Sequence, residues 1–413
     1  MDTYKELLQQ ALRSVPPAPD QSRDACTTAS GRRCSLCSAS RMSYESELPA
    51  KRDAIQQFWA QQYPASLLQP LLASPRGRMY RSISKRKLFV QGREAVLGLI
   101  DPDEVETGGI LQVNACAIEP TSHQDVYRRV LGVMSSPALR TLFSVLRYLI
   151  VRGDDRNTLV LLSVSGFSPS LLKSANALSK ILTAAPSTVR GVYLHEDESD
   201  GRYYLGSGDP AGHLTLRKLY GMQGCKHEVG GKRFFYPPAS FSQVNHSALT
   251  VLTETVRTLL QPDPEGTLLD LYCGYGLFGL LFAGSFKHVL GADISPDSIS
   301  AAKDNALRQA AHNARFVRSS LDEDSVETLL RRCRPPLSVI LDPPRRGTAE
   351  GILPLLAAYS PSRVVHLFCN IERMPEELKQ WEQEGYRVET AVPIDMFPGT
   401  AALEVVVGLT RRL

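Results

Sequence analysis

Three acids, each closing an apolar run, are the first residues of this 413-residue sequence to read as chemistry. In "LLDLYCGYGLFGL" (268–280) Asp270 precedes a glycine-rich turn and then a helical pattern. Gly274 and Gly276 let backbone come close to a ligand, while Asp270 can anchor the loop or a ligand's amino group. Asp293 ends the next run, "VLGADIS", where a carboxylate can hydrogen-bond both hydroxyls of a ribose. Counting Gly279 completes G-x-G-x-x-G, a spacing that fits a dinucleotide and S-adenosylmethionine alike. Asp342 ends a third run, "VILDPPRRG" (339–347), and the two prolines behind it turn the chain at small entropic cost. Read alone, that D-P-P is a turn.

Cysteines raise a second chemistry. In "HLFCNIERMP" Cys369 ends an apolar run and precedes Asn370; such a residue is a packed small hydrophobe, a ligand or a nucleophile, and free cysteine most often packs. Near the N-terminus Cys26, Cys34 and Cys37 form C-x7-C-x2-C, and Cys116 follows in "LQVNACAIEP". Four such thiols suit a tetrahedral zinc or a [4Fe-4S] cluster. Disulfides are not expected in a cytoplasmic chain. Cys225, Cys273 and Cys333 lack an acid or base context and read as non-catalytic.

The elements that must carry these residues follow from the rhythm of the chain. The length implies two or three domains at roughly 150 residues each. Residues 1–60 hold a short helical start, a proline-rich break, the cysteine cluster and a helix "YESELPAKRDAIQQFW", and look stapled by metal rather than driven by a core. Residues 61–228 alternate short strand-like runs with helical stretches at 124–134 and 169–182, a mixed α+β domain. From 229 to 413 strands alternate with helices, which predicts an α/β fold with a parallel sheet covered on both faces. Ligands of such sheets bind beyond the carboxyl ends of the strands.

With 43% hydrophobic and 22% charged residues the composition is that of a folded globular protein, and disordered or collagen-like classes are excluded. The N-terminus shows no signal-peptide pattern, and no apolar run approaches the ~20 residues of a membrane span, so a cytoplasmic protein without a membrane role is expected. The net charge of +4 is only mildly basic. In "RGRMYRSISKRK" (76–87), however, six cations surround Tyr80 without an acid, a pattern that tracks a phosphate backbone or guards a solvated strand edge.

"FSQVN" (241–245), "DLYCGYG", "LDPPRRG", "FCN" and "DMFPGTAALE" occur in the order that resembles the S-adenosylmethionine-dependent RNA uracil-C5 methyltransferases. The resemblance covers most of the chain and is strongest in its C-terminal part. It implies a class I methyltransferase fold, Rossmann-like and doubly wound, with Cys369 as nucleophile and Glu404 as base. It further implies that Gln243 positions the uracil or cofactor, that Tyr272 packs near the adenosine, that Gly274 and Gly276 form the cofactor loop, that Asp293 holds the ribose and that Asp342 lines the methyl-transfer pocket. Arg345 and Arg346 stand where amino-group methyltransferases carry an aromatic, which argues against adenine N6 methylation. Phe368 and Ile371 depart from the small residue and the Pro or Ala usual around the family's Cys-Asn.

For Cys26, Cys34, Cys37 and Cys116 the resemblance implies a [4Fe-4S] cluster, closest to the 23S rRNA RlmC type. The expected partner is therefore RNA, 23S rRNA first, without an obligate protein partner. The rivals are a tRNA uridine-54 C5 methyltransferase, a catalytically silent RNA-binding factor on the same scaffold, and a nicotinamide-dependent reductase, for which no hydride-transfer site is found.

Overall fold

The computed structural model describes residues 2–15, 26, 34, 36–91, 94–100, 110–113, 115–197 and 216–412. Two helices open the chain, α1 (Tyr4–Arg13) and α2 (Tyr44–Ala60). The first is closed by a capping box between Thr3 and Glu6.

The first sheet has seven strands: β1 (Ile83–Gln91), β2 (Glu94–Ile100), β3 (Ile110–Leu111), β4 (Leu146–Gly153), β5 (Thr158–Val164), β6 (Val189–Glu196) and β7 (Leu216–Gly221). Their spatial order is β3-β2-β1-β4-β5-β6-β7. Helices α3 (Thr121–Leu131) and α4 (Arg140–Phe143) lead into β4, and α5 (Pro169–Thr183), capped by Ser168, joins β5 to the parallel β6. All other pairs in this sheet are antiparallel, so the mixed α+β region expected from the sequence is observed. Side chains alternate across the pleat. Leu149 and Val151 of β4 face one core with α5, while Tyr148 and Ile150 face another.

A hairpin, β8 (Cys225–Val229) and β9 (Lys232–Tyr236), precedes the second sheet. There β10 (Thr267–Leu271), β11 (His288–Asp293), β12 (Ala314–Arg318), β13 (Leu337–Leu341) and β14 (Arg363–Phe368) run parallel, whereas β16 (Glu404–Arg411) lies antiparallel between β14 and β15 (Tyr386–Ile394). The order is β12-β11-β10-β13-β14-β16-β15. Helices α6 (Leu249–Leu260), α7 (Leu277–Phe282) and α8 (Pro296–Arg308) pack on one face. On the other lie α9 (Glu323–Leu330), α10 (Ile352–Ala358) and α11 (Met374–Gln383), joined by α1 and α2.

That last contact corrects the sequence reading of residues 1–60. Tyr4, Leu7, Leu8, Ile55, Phe58 and Trp59 share a core with Leu269, Val339, Trp381 and Tyr386, so hydrophobic burial seats both helices on the second sheet. Among the described residues no helix is long and apolar enough to cross a membrane.

Candidate functional site

Between β10 and β13 the chain changes its direction of winding, and the crevice at their carboxyl ends is where ligands of such sheets bind. The turn after β10 is left-handed at Tyr272 (φ 64°), Gly274 (φ 53°) and Gly276 (φ 85°). Its two neighbouring acids are bound to backbone. Asp270 accepts the Gly279 N–H at 2.8 Å, tying β10 to the first turns of α7. Asp293 accepts the Gly274 N–H at 3.0 Å and the Ser295 N–H at 2.8 Å.

Asp270 thus anchors the loop, one of the two roles left open by its position, although its second oxygen has no partner among the described residues. Burial pushes its carboxyl up to about 8, helped by Asp342 and Asp293. Burial also raises Asp293, against the hydrogen bonds it accepts. Above Gly274 the space is open, with no atom within 4 Å of where a Cβ would stand. A glycine cradle beside a strand-end carboxylate fits a nucleoside-bearing methyl donor.

Asp342, Cys369 and Glu404 meet at the same edge. In the antiparallel register Phe368 faces Val405, which sets Cys369, one residue past β14, beside Glu404 at the start of β16. Parallel pairing of Leu341 with His366 brings Asp342 alongside. The Cys369 thiol has the Pro343 carbonyl at 3.8 Å, and Asn370 Nδ2 donates to the Arg345 carbonyl at 2.9 Å, binding the two loops together. A small depression between them is lined by Pro343, Pro344, Arg345, Phe368, Cys369 and Asn370.

Glu404 is 1% exposed, and its Oε1 has no hydrogen-bond partner among the described residues. Burial lifts its carboxyl well above the ordinary range and repulsion from Asp342 adds to this, while Arg345 opposes both. Asp342 is raised by burial and by Asp293. The thiol is pushed up to about 12 by burial, then by Glu404 and Asp342, with Arg345 again opposing. Two acids and a thiol thus disfavour one another's charge in a dry site, the pattern found where protons are moved.

Behind the D-P-P-R-R-G loop stands a network that sequence reasoning missed. The indole N–H of Trp381 donates to His366 Nδ1 at 3.3 Å, which leaves the hydrogen on Nε2, facing Glu377 Oε2 at 3.3 Å. Glu377 in turn accepts from the Thr348 hydroxyl at 2.7 Å and the Thr348 N–H at 3.2 Å. Burial holds His366 down at about 3, so it works as a neutral spacer. His366 alone in a strand gives no signal for this.

Gln243 is buried, and its loop is gripped by Arg152, which donates to the carbonyls of Pro238 and Ser240 and to the Ser242 hydroxyl. Phe241 in the same loop is 69% exposed. Tyr272 is half-buried, its hydroxyl 3.5 Å from the Ala349 N–H.

The cysteines Cys26, Cys34, Cys37 and Cys116 share one small patch with Ala39, Tyr80, Leu111 and Ile118, and among the described residues no three His, Cys, Asp or Glu side chains are arranged to hold a metal ion. Cys26 Sγ accepts the Ala117 N–H at 3.3 Å, and burial raises the thiols of Cys26, Cys37 and Cys116. Residues 76–87 are not a uniform phosphate track. Tyr80 is buried and donates to the Pro398 carbonyl at 2.8 Å, and Arg86 is buried in a two-pronged pair with Glu119, leaving Arg76 and Lys85 as the exposed cations of that stretch.

Residues 223–412 match the model of the family described as tRNA (uracil-5-)-methyltransferase. An uncharacterized RNA methyltransferase of Geobacter sulfurreducens is 28% identical over 350 residues, covering 83% of this chain and 68% of that one. Another, of Chlamydia pneumoniae, is 24% identical over 409 residues, covering 92% and 96%. Among solved structures, the tRNA (uracil-54, C5)-methyltransferase of Pyrococcus abyssi in complex with S-adenosyl-L-homocysteine superposes with a TM-score of 0.67 at 20% identity, over 92% of this chain and 87% of that one. The fold is therefore that of the class I methyltransferases, and the chain is a homologue of RNA methyltransferases.

Proposed function

We propose that this S-adenosylmethionine-dependent RNA methyltransferase methylates C5 of a uridine through a transient bond between Cys369 and C6 of the base, and that its target lies in 23S rRNA. Unaided, C5 of uracil is a poor nucleophile. In this reading the Cys369 thiol gives up its proton to solvent and the sulfur adds to C6, so that the C5=C6 π pair becomes an enolate spread over C5 and the C4 oxygen. C5 then bonds to the methyl carbon, whose former bonding pair stays on the departing sulfur. Glu404 takes the C5 proton, the C–H pair rebuilds C5=C6, and the thiolate leaves. A methyl group enters, a proton leaves and no net electron moves, so no step runs through the N-terminal cysteines.

A bound sulfonium supplies the methyl group and, by its charge, favours the thiolate that burial otherwise disfavours. Arg345 acts in the same direction. Gln243, Tyr272, Gly274, Gly276, Asp293 and Asp342 serve as the cofactor and base contacts. Attack on C6 comes from the ring face, so the uridine must be in a loop or turned out of its stack, and the exposed ring of Phe241 offers it a surface.

The observation that carries this reading is the β14–β16 register, which sets a thiol beside a buried acid whose Oε1 has no partner among the described residues. A second reading, methylation of uridine 54 in tRNA, draws on the archaeal neighbour, whose own substrate is that uracil. The test incubates unmodified rRNA and tRNA transcripts with the protein and methyl-labelled S-adenosylmethionine, and maps 5-methyluridine. Label in 23S rRNA supports the first reading and label in tRNA the second; RNA binding without label would leave only a silent RNA-binding factor.

A further inference from the structure

The loop that leads into Glu404, residues 395–400, is held by charges from the far end of the chain. Lys51 Nζ lies 2.9 and 3.1 Å from the two oxygens of Asp395, 2.9 Å from Glu47 Oε1 and 3.2 Å from the Phe397 carbonyl. Glu47 Oε1 also accepts the Gly399 N–H at 2.7 Å, and Arg78 approaches its other oxygen at 3.5 Å. The side chains of Glu47, Lys51 and Asp395 are each 1% exposed or less.

Further grips complete the clamp. Asp395 accepts the Phe397 N–H at 3.2 Å, Asn245 donates to the Met396 carbonyl at 3.2 Å, Tyr80 holds the Pro398 carbonyl, and Ser38 donates its N–H at 2.8 Å to the Gly399 carbonyl. Gly399 is at φ 83° and a Cβ there would stand 2.9 Å from that of Ala39, so no side chain fits between the loop and the N-terminal segment.

Replacing a buried ion cluster by apolar groups of similar volume is often neutral or stabilising, so cohesion alone gives no reason for three charges here. What charges add is direction. Lys51 fixes a carboxylate and a backbone carbonyl of the loop at once, and Glu47 fixes a backbone N–H two residues further on. We propose that Glu47, Lys51 and Asp395 are positioning residues that hold the 395–400 loop so that Glu404, four residues beyond it, reaches the C5 proton. This rests on Glu404 being the base of the proposed reaction.

A displaced base should slow the last step and spare the first two. The experiment follows a single turnover of Glu47→Gln, Lys51→Gln and Glu404→Gln with pooled rRNA and tRNA transcripts and methyl-labelled S-adenosylmethionine. It reads methyl-labelled protein–RNA adduct on denaturing gels and free labelled RNA separately. Adduct formation within about twofold of the parent, with release slowed about tenfold or more, is the expected result for the two cluster variants. S-adenosylhomocysteine binding certifies that each is folded, and the isosteric Glu47→Gln carries the test if Lys51→Gln does not fold.

Release at the parental rate, or formation and release falling by one common factor, overturns the positioning role while Glu404→Gln still traps adduct. No trapped adduct with Glu404→Gln overturns the base assignment and this inference with it.

Discussion

The two ends of the crevice bury the same kinds of group and hold them differently. At the cofactor end Asp270 and Asp293 are hydrogen-bonded to backbone N–H groups, which fixes the glycine turn before any ligand arrives. At the proposed reaction end, among the described residues, a Glu404 oxygen has no partner and the Cys369 thiol has the distant Pro343 carbonyl as its acceptor. Backbone hydrogen bonds to both acids make a rigid seat even though one Asp270 oxygen has no partner among the described residues, whereas a dry group without such bonds stays ready to exchange a proton. In the proposed reaction the contrast separates recognition from chemistry within one row of strand ends.

Substitutions can break that contrast in order of severity. Cys369→Ala removes the attacking sulfur, and methyl transfer should fall by about 10⁴-fold or more in the labelling assay; appreciable activity would sink the nucleophile assignment. Glu404→Gln should methylate once and then hold the RNA, lowering turnover by roughly 10²–10⁴-fold with labelled adduct visible on denaturing gels. By contrast Asp293→Ala attacks the seat: S-adenosylhomocysteine affinity, followed by calorimetry, should drop about 10–100-fold, as for losing hydrogen bonds to a charged group. Adduct formation at saturating cofactor should then recover, which Cys369→Ala cannot do.

The smallest effect concerns pH. Because the Asp270 carboxyl is raised to about 8, the folded chain keeps a proton that the unfolded chain releases near pH 4. The unfolded state therefore binds fewer protons between those values, and stability contributed by the neutral acid is lost as pH rises from about 4 to 8. Asp270→Asn still accepts from Gly279 but cannot ionise, so the gap in melting temperature between pH 5 and pH 8 should shrink by a few degrees. An unchanged gap would count against a protonated Asp270.

Much of this was readable beforehand because it is local. Strand-end acids and the glycine turn follow from period, turn residues and order along the chain, whereas Cys369 and Glu404 were expected to act together only because the sequence resembles a known family. What stayed hidden depends on partners far away. Glu47 and Lys51, four apart on a helix, look like an exposed pair until Asp395, 344 residues on, is packed against them. Arg86 and Tyr80 looked like an RNA-facing track for the same reason, since Glu119 and the Pro398 carbonyl that engage them lie in other elements.

One feature of the packing reaches beyond the site. Tyr148, Ile150, Leu159, Leu161 and Tyr193 of the first sheet lie in a single apolar cluster with Leu252, Leu268, Val365 and Val406 around the second. Parting the two halves would expose that shared oil to water, so hinge bending between them is an expensive way to admit a bulky nucleic acid. The substrate, rather than the enzyme, is left to do most of the deforming, and calorimetry should record both halves melting in one step.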